Sequence, residues 1–223
     1  MKFELINDLI IVELQSKKIL LNTGSTLSFS LKDDFSISIN DRSYSLRAHS
    51  AASKVKTTLS HLIPHQDVDG IIGTDIISKT NLTIDYLNRE VYFDICNPQY
   101  IEEYTLPLSF EKGLVFISIP SGNNQLKMVL ESGTKQHYIK SKYLDMTQTC
   151  GDFEDYSPDL GRIYGPSYKF YDSIHNEKLY AGVLPKEYDS ICDGILGLHP
   201  FVHPGYCIFD FKNRVFVFSR RFI

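Results

Sequence analysis

Three blocks of this sequence occur twice, in the same order and at similar spacing. In the first half, ILLNTGSTLSF (19–29) is followed by VDGIIGTDII (68–77) and then by LTIDYLNREVYF (82–93). In the second half, MVLESGTKQHYI (128–139) is followed by CDGILGLHPF (192–201) and CIFDFKNRVFVF (207–218). Asp69 lies 47 positions after Asn22 and Asp193 lies 62 after Glu131; Asp85 trails Asp69 by 16, and Asp210 trails Asp193 by 17. The runs that enter the first blocks also correspond, DLIIVEL (8–14) with GLVFISI (113–119). Three blocks in register indicate one folding unit used twice. The 223 residues leave room for two lobes of about 100 each.

Each unit reads as β structure. Period-two alternation runs through FSISIN (35–40) and through both closing blocks. LNRE (87–90) and KNRV (212–215) each join two short β-rich runs, which predicts a hairpin at the end of each unit. The 13% aromatic content, all Tyr and Phe, fits strands. Helical signals are brief: TDIISKT (74–80) and PKEY (185–188). The lobes are expected at 1–99 and 100–223, with their boundary in the polar stretch 96–107. The charged stretch CGDFEDYSPDLG (150–161) reads as a loop inserted in the second unit.

These blocks resemble the aspartic proteases of the pepsin and retropepsin type. That family places Asp-Thr/Ser-Gly-Ser/Thr on a tight turn after a strand, and later a hydrophobic-hydrophobic-Gly strand beside it. NTGS (22–25) and ESGT (131–134) match the turn everywhere except at the acid; IIG (71–73) and ILG (195–197) match the later strand. The resemblance implies an all-β fold of two retropepsin-type lobes related by a pseudo-twofold axis. It implies that Asn22 and Glu131 face each other on the floor of the cleft between them. Gly24 and Gly133 would let the turns approach closely, and Thr23 and Ser132 would hydrogen-bond to the opposing loop. Ser25 and Thr134 sit where a hydroxyl supports the family's catalytic carboxylate. Tyr44, in a candidate flap hairpin at 35–49, is the matching substrate-facing aromatic; 163–167 and 168–183 are alternative flaps in the second unit.

Proteolysis by this family needs two carboxylates about 3 Å apart sharing one proton, one acting as acid and the other as base. Asn22 has no acidic proton to share. Glu131 carries one methylene more than Asp, and a displacement of about 1 Å can cost roughly a hundredfold in rate. With no like-charged neighbour expected, Glu131 should favour its ionised form. Three functions stay open. The cleft binds an extended polypeptide by strand addition without cutting it. Alternatively the chain is a peptidase, in which Asn22 replaces an Asp by engineering or an Asn–Glu pair does the chemistry. In the third, the chain is a structural or assembly protein with a vestigial cleft.

The remaining signals narrow the partners. A net charge of −4 gives no general attraction to nucleic acid or an anionic membrane, and the Arg220-Arg221 tail is too short to alter that. No segment approaches the roughly 20 apolar residues of a membrane span, and the first residues lack a signal-peptide core, so a cytoplasmic monomer is expected. Cys96, Cys150, Cys192 and Cys207 form no paired-cysteine motif and read as plain thiols. His61, His65, His199 and His203 recur at four-residue spacing, but Pro64, Pro200 and Pro204 break the helix that would align them; they read as loop histidines, with no metal or cofactor implied. Asp69, Asp85, Asp193 and Asp210 read as turn caps, and Asp75, which has His199 at its repeat position, as dispensable to the scaffold.

Overall fold

The structure is a computed structural model that describes residues 1–94, 104–121, 124–157, 160–175, 177–203 and 205–219. The lobe boundary expected at 99/100, Cys96, Pro204 and the Arg220-Arg221 tail lie outside the described residues. The first half contains β1 (Phe3–Ile6), β2 (Leu9–Leu14), β3 (Lys17–Leu21), β4 (Phe29–Ser30), β5 (Phe35–Ile39) and β6 (Arg42–Leu46). There follow α1 (Ala52–Leu62), β7 (Gly70–Ile72), α2 (Thr74–Ile77), β8 (Leu82–Asp85) and β9 (Glu90–Phe93). The second half contains β10 (Tyr104–Glu111), β11 (Leu114–Ser121), β12 (Asn124–Glu131), β13 (His137–Ile139), β14 (Asp145–Ser157), β15 (Gly161–Asp172) and β16 (Glu177–Val183). It closes with β17 (Gly194–Gly197), α3 (Leu198–Val202), β18 (Tyr206–Asp210) and β19 (Val215–Ser219). The fold is all-β in class.

The repeat is reproduced strand for strand. In the first half the sheet order is β1-β2-β3-β7-β4; in the second, β10-β11-β12-β17-β13 forms the matching run of a larger sheet. β3 and β7 are parallel, with Leu21 beside Ile72; β12 and β17 are parallel, with Leu130 beside Leu196. Both pairs are covered on two faces, which is why ILL and IIG are continuous apolar runs rather than alternating ones. Ile19, Leu21 and Ile72 face a large shared core that also holds Met128, Leu130 and Leu196. Leu20 and Ile71 face a second cluster; Val129 and Ile195 face a third.

Two of the four repeated aspartates do something other than capping. Asp69 accepts the Lys18 amide at 3.0 Å while its own amide donates to the Lys18 carbonyl at 2.7 Å. Asp193 repeats this with Lys127, at 3.1 and 2.7 Å. Each therefore clamps the start of a parallel strand pair, and Lys32 and Lys140 respectively supply the countercharge. Asp85 and Asp210 are the turn caps. Each takes the backbone and side-chain N–H of an Asn three residues on, Asn88 at 2.8 and 2.8 Å and Asn213 at 2.9 and 2.7 Å. Arg89 and Arg214 follow at φ 55° and 56°, so the turns match in backbone as well.

The two closing hairpins, β8–β9 and β18–β19, pair with each other through β8 and β18, with Cys207 opposite Ile84. One continuous sheet thus crosses from the first half to the second. Around this common scaffold the halves differ. The first adds the β5–β6 hairpin and α1; the second adds the long antiparallel β14–β15–β16 array. Residues 150–157 are strand rather than loop, paired with β15, and Gly165-Pro166 lies within that pairing rather than at a turn. The eleven-residue α1 is absent from the sequence reading. Among the described residues no helix is long and apolar enough to cross a membrane.

Replacing Asp210 by Ala removes two hydrogen bonds from the closing turn and should lower stability by about 1–3 kcal/mol. Urea unfolding midpoints compared with wild type measure this, and Asp85→Ala should behave alike.

Candidate functional site

The two turns after β3 and β12 meet at the centre of the molecule. Thr23 Oγ1 donates to the Leu130 carbonyl at 2.8 Å and accepts the Ser132 amide at 2.9 Å. Ser132 Oγ donates to the Leu21 carbonyl at 2.7 Å and accepts the Thr23 amide at 3.0 Å. Both hydroxyl residues are essentially inaccessible to solvent. The four bonds are reciprocal and join residues more than 100 positions apart.

Gly24 and Gly133 permit the close approach. A Cβ on Gly24 would stand 2.5 Å from Glu131 Cδ, and one on Gly133 would stand 2.5 Å from Asn22 Nδ2. The side chains of Glu131 and Asn22 therefore each lie across the glycine of the opposite turn. Asn22 is oriented chemically: the Gly24 amide donates to its Oδ1 at 2.8 Å, so its NH2 is the free end. The hydroxyls of Ser25 and Thr134 do not bond to the side chains of Asn22 or Glu131. The Ser25 hydroxyl donates to the Leu27 carbonyl at 2.7 Å, and the Thr134 hydroxyl donates to Asp155 at 2.8 Å.

Asp155, in the stretch read as a surface loop, is the principal residue that sequence reasoning missed. Its buried carboxylate accepts the Thr134 hydroxyl, the Tyr138 hydroxyl at 2.8 Å and the Tyr156 amide at 2.9 Å. Nothing in the local sequence distinguishes it from Asp152 or Glu154, which are exposed; only the strand register turns it inward. Glu131 is affected. Burial and, second, the charge of Asp155 push its carboxyl up from 4.5 to about 7. The expectation of an ionised Glu131 is thereby corrected: the like charge is present, supplied by β14 rather than by position 22.

A cavity of about 440 Å³ stands over this floor. One wall is Leu20, Phe29 and Ile71 with Val55, Leu59 and Leu62 of α1; the other is Val129, Tyr138 and Ile195 with Ile163 of β15. Asp155, Tyr156 and Ser157 of β14 also line it. The roof closes where the His61 ring of α1 stacks on Tyr156, centroids 4.5 Å apart and planes 6° apart. The hairpin that covers the cavity is β14–β15. Tyr44 does not line the cavity: its half-buried ring packs against the shared core, with Lys79 Nζ 5.6 Å from the ring centroid. Alternation along β6 aims Leu46 and Tyr44 at that core, which explains the difference.

Two of the four histidines differ from the loop reading, while His65 and His203 lie in turns. His61 sits on α1, and His199 lies in the first turn of α3, half-buried against Tyr86, with Nε2 3.0 Å from His203 Nδ1 and Nδ1 2.8 Å from Asp8. Cys207 is enclosed in the core, where burial pushes its thiol up. Elsewhere Asp172, His175 and Glu177 present ligand atoms within 4.8 Å of one another. His175 Nδ1 faces Asp172, and its ring is enclosed by Tyr104, Phe201 and Phe218. Asp172 and His175 form a buried imidazole–carboxylate pair, and none of the three residues lines the cavity.

No family model matches this chain. No curated protein matches it either. Among solved structures it is similar to conglutin gamma, a basic 7S globulin from lupine seeds, at 12% identity and a TM-score of 0.38, over 96% of this chain and 67% of that one.

Two outcomes follow from the site. Ser132→Ala leaves the Thr23 amide and the Leu21 carbonyl buried without their partner and should cost about 2–5 kcal/mol in urea unfolding. Glu131 gives stability a pH slope. Below 4.5 it is protonated in both states; between 4.5 and about 7 only the unfolded chain ionises, so stability falls as pH rises through that window and levels off above it. Glu131→Gln should remove this slope, read from unfolding midpoints at pH 5, 6, 7 and 8.

Proposed function

We propose that this chain is a divergent two-lobed member of the aspartic-protease fold whose central cleft binds a polypeptide segment without hydrolysing it. The observation that carries the reading is the pair of reciprocally bonded turns presenting one amide and one acid to a largely apolar cavity. The identical strand order of the two halves supports the two-lobed part of the reading. Binding needs shape, apolar walls and a few directed polar groups, all of which the cleft supplies. Hydrolysis needs a base for water beside an acid for the carbonyl. Asn22 cannot serve as that base, and Asp155 already accepts three hydrogen bonds within the protein.

One observation favours the peptidase reading. Glu131 keeps its proton to about pH 7, as a general acid would. The acid alone does not activate water, so this reading stands second; the assembly role has no specific observation behind it.

The two are separated by incubating the protein with a blocked peptide library from pH 4 to pH 8 and analysing retained and cleaved peptides by mass spectrometry. Retained peptides with no new termini are the expected result. Cleavage by wild type that disappears in Glu131→Gln would overturn it.

A further inference from the structure

Two polar groups on the cavity floor have no protein partner among the described residues. Asn22 Oδ1 is occupied by the Gly24 amide, which leaves Nδ2 with two unused N–H donors. Asn22 reaches across to Gly133 and Glu131 reaches across to Gly24, and both line the cavity. The charged and titratable groups facing Glu131 around the cavity are Asp155 and Tyr156 from β14, Tyr138 from β13, Tyr188 from the turn at 186–188, and His49 ahead of α1. No Lys or Arg is among the described lining residues. The cavity is thus walled by aliphatic and aromatic side chains, carries an embedded carboxylate, and has no fixed cation.

We propose that the cleft selects a neutral carbonyl flanked by apolar groups, held by Asn22 Nδ2 and the Glu131 carboxyl acting together as donors, and rejects ligands that place a carboxylate there. This deepens the binding reading above and depends on it. A carbonyl oxygen has two lone pairs and accepts both donors at once; a peptide or amide carbonyl between apolar side chains meets all three requirements. A ligand carboxylate would be desolvated beside Asp155 with no cation to offset it. The arrangement is also pH-gated. Glu131 donates only while protonated, and its carboxyl is pushed up to about 7. Above that pH the ionised group repels the lone pairs it held below.

The test uses hexapeptides of Leu, Ile, Val, Phe and Ala, N-acetylated and C-amidated, with free-acid versions of the same peptides. Binding to wild type and Glu131→Gln is followed by calorimetry at pH 6 and pH 8.5. The expected result is an affinity for the amidated peptides that falls about tenfold or more from pH 6 to pH 8.5 in wild type and stays level in Glu131→Gln. Free acids bound with their carboxylate in the cleft as tightly as the amides would overturn the selectivity. A pH effect equal in the two proteins would overturn the gating while leaving polypeptide binding intact. Absence of binding at either pH would overturn both the inference and the reading it rests on. A ligand-free measurement separates them further: in ¹³C-glutamate-labelled protein, the Glu131 resonance, assigned by its loss in Glu131→Gln, should titrate near neutral pH. Titration alongside the exposed glutamates would overturn the inference alone.

Discussion

Four hydrogen bonds between Thr23 and Ser132 and the strands behind them hold the centre of this molecule. They are buried and reciprocal, and neither turn can satisfy its own backbone without the other. A buried amide or carbonyl left unpaired costs roughly what a hydrogen bond costs to lose, so the two turns are stable only in contact. The residues at 22 and 131 take no part in this bonding. Their side chains are displayed by the junction rather than used to build it, and so the same junction can carry an amide on one side and a longer acid on the other.

The scaffold is symmetric and the cover is not. Both halves run the same five strands in the same order, clamp their parallel pair with an aspartate, and close with an Asp–Asn turn. Above that common plan, the first half lays α1 over Leu20, Phe29 and Ile71, and the second lays β14–β15 over Val129, Tyr138 and Ile195. Two related apolar surfaces are thus roofed by unrelated elements that meet through His61 and Tyr156. The asymmetry reaches the chemistry. Among the described residues only the second roof carries an inward acid, Asp155, and only the second floor residue is a carboxyl group that can feel it. The site is neither of the two identical half-sites that the repeat by itself would suggest.

The repeat, the hairpins at 87–90 and 212–215 and the short helix after Gly73 were legible because each rests on local chemistry: apolar runs, Asx turns and glycine at a tight approach. The residues of the central junction were legible for the same reason, as a motif written twice. α1 was not, although Val55, Leu59 and Leu62 have helical spacing. β-Branched residues and a single turn's worth of apolar stripe leave its local preference weak, and its stability comes from covering the sheet face beneath. Asp155 was hidden among neighbouring acids because strand alternation, set by the partner strand, decides which of them faces inward. Tyr44 packs on the core rather than lining the cavity; an aromatic in a hairpin can serve either place, and the sequence does not say which surface the hairpin lies on.

By itself, the sequence determined a β-rich chain made of one unit twice, with glycine and hydroxyl residues at two turns built to touch, and an amide and an acid beside them. Those are consequences of bonding between near neighbours and of a pattern that repeats. The tertiary structure decided which elements roof the cavity, which acid enters it, and hence that the Glu131 carboxyl is pushed up to about 7. Each depends on residues far apart in the chain being brought together out of water, where burial and a facing charge reset the behaviour of a side chain.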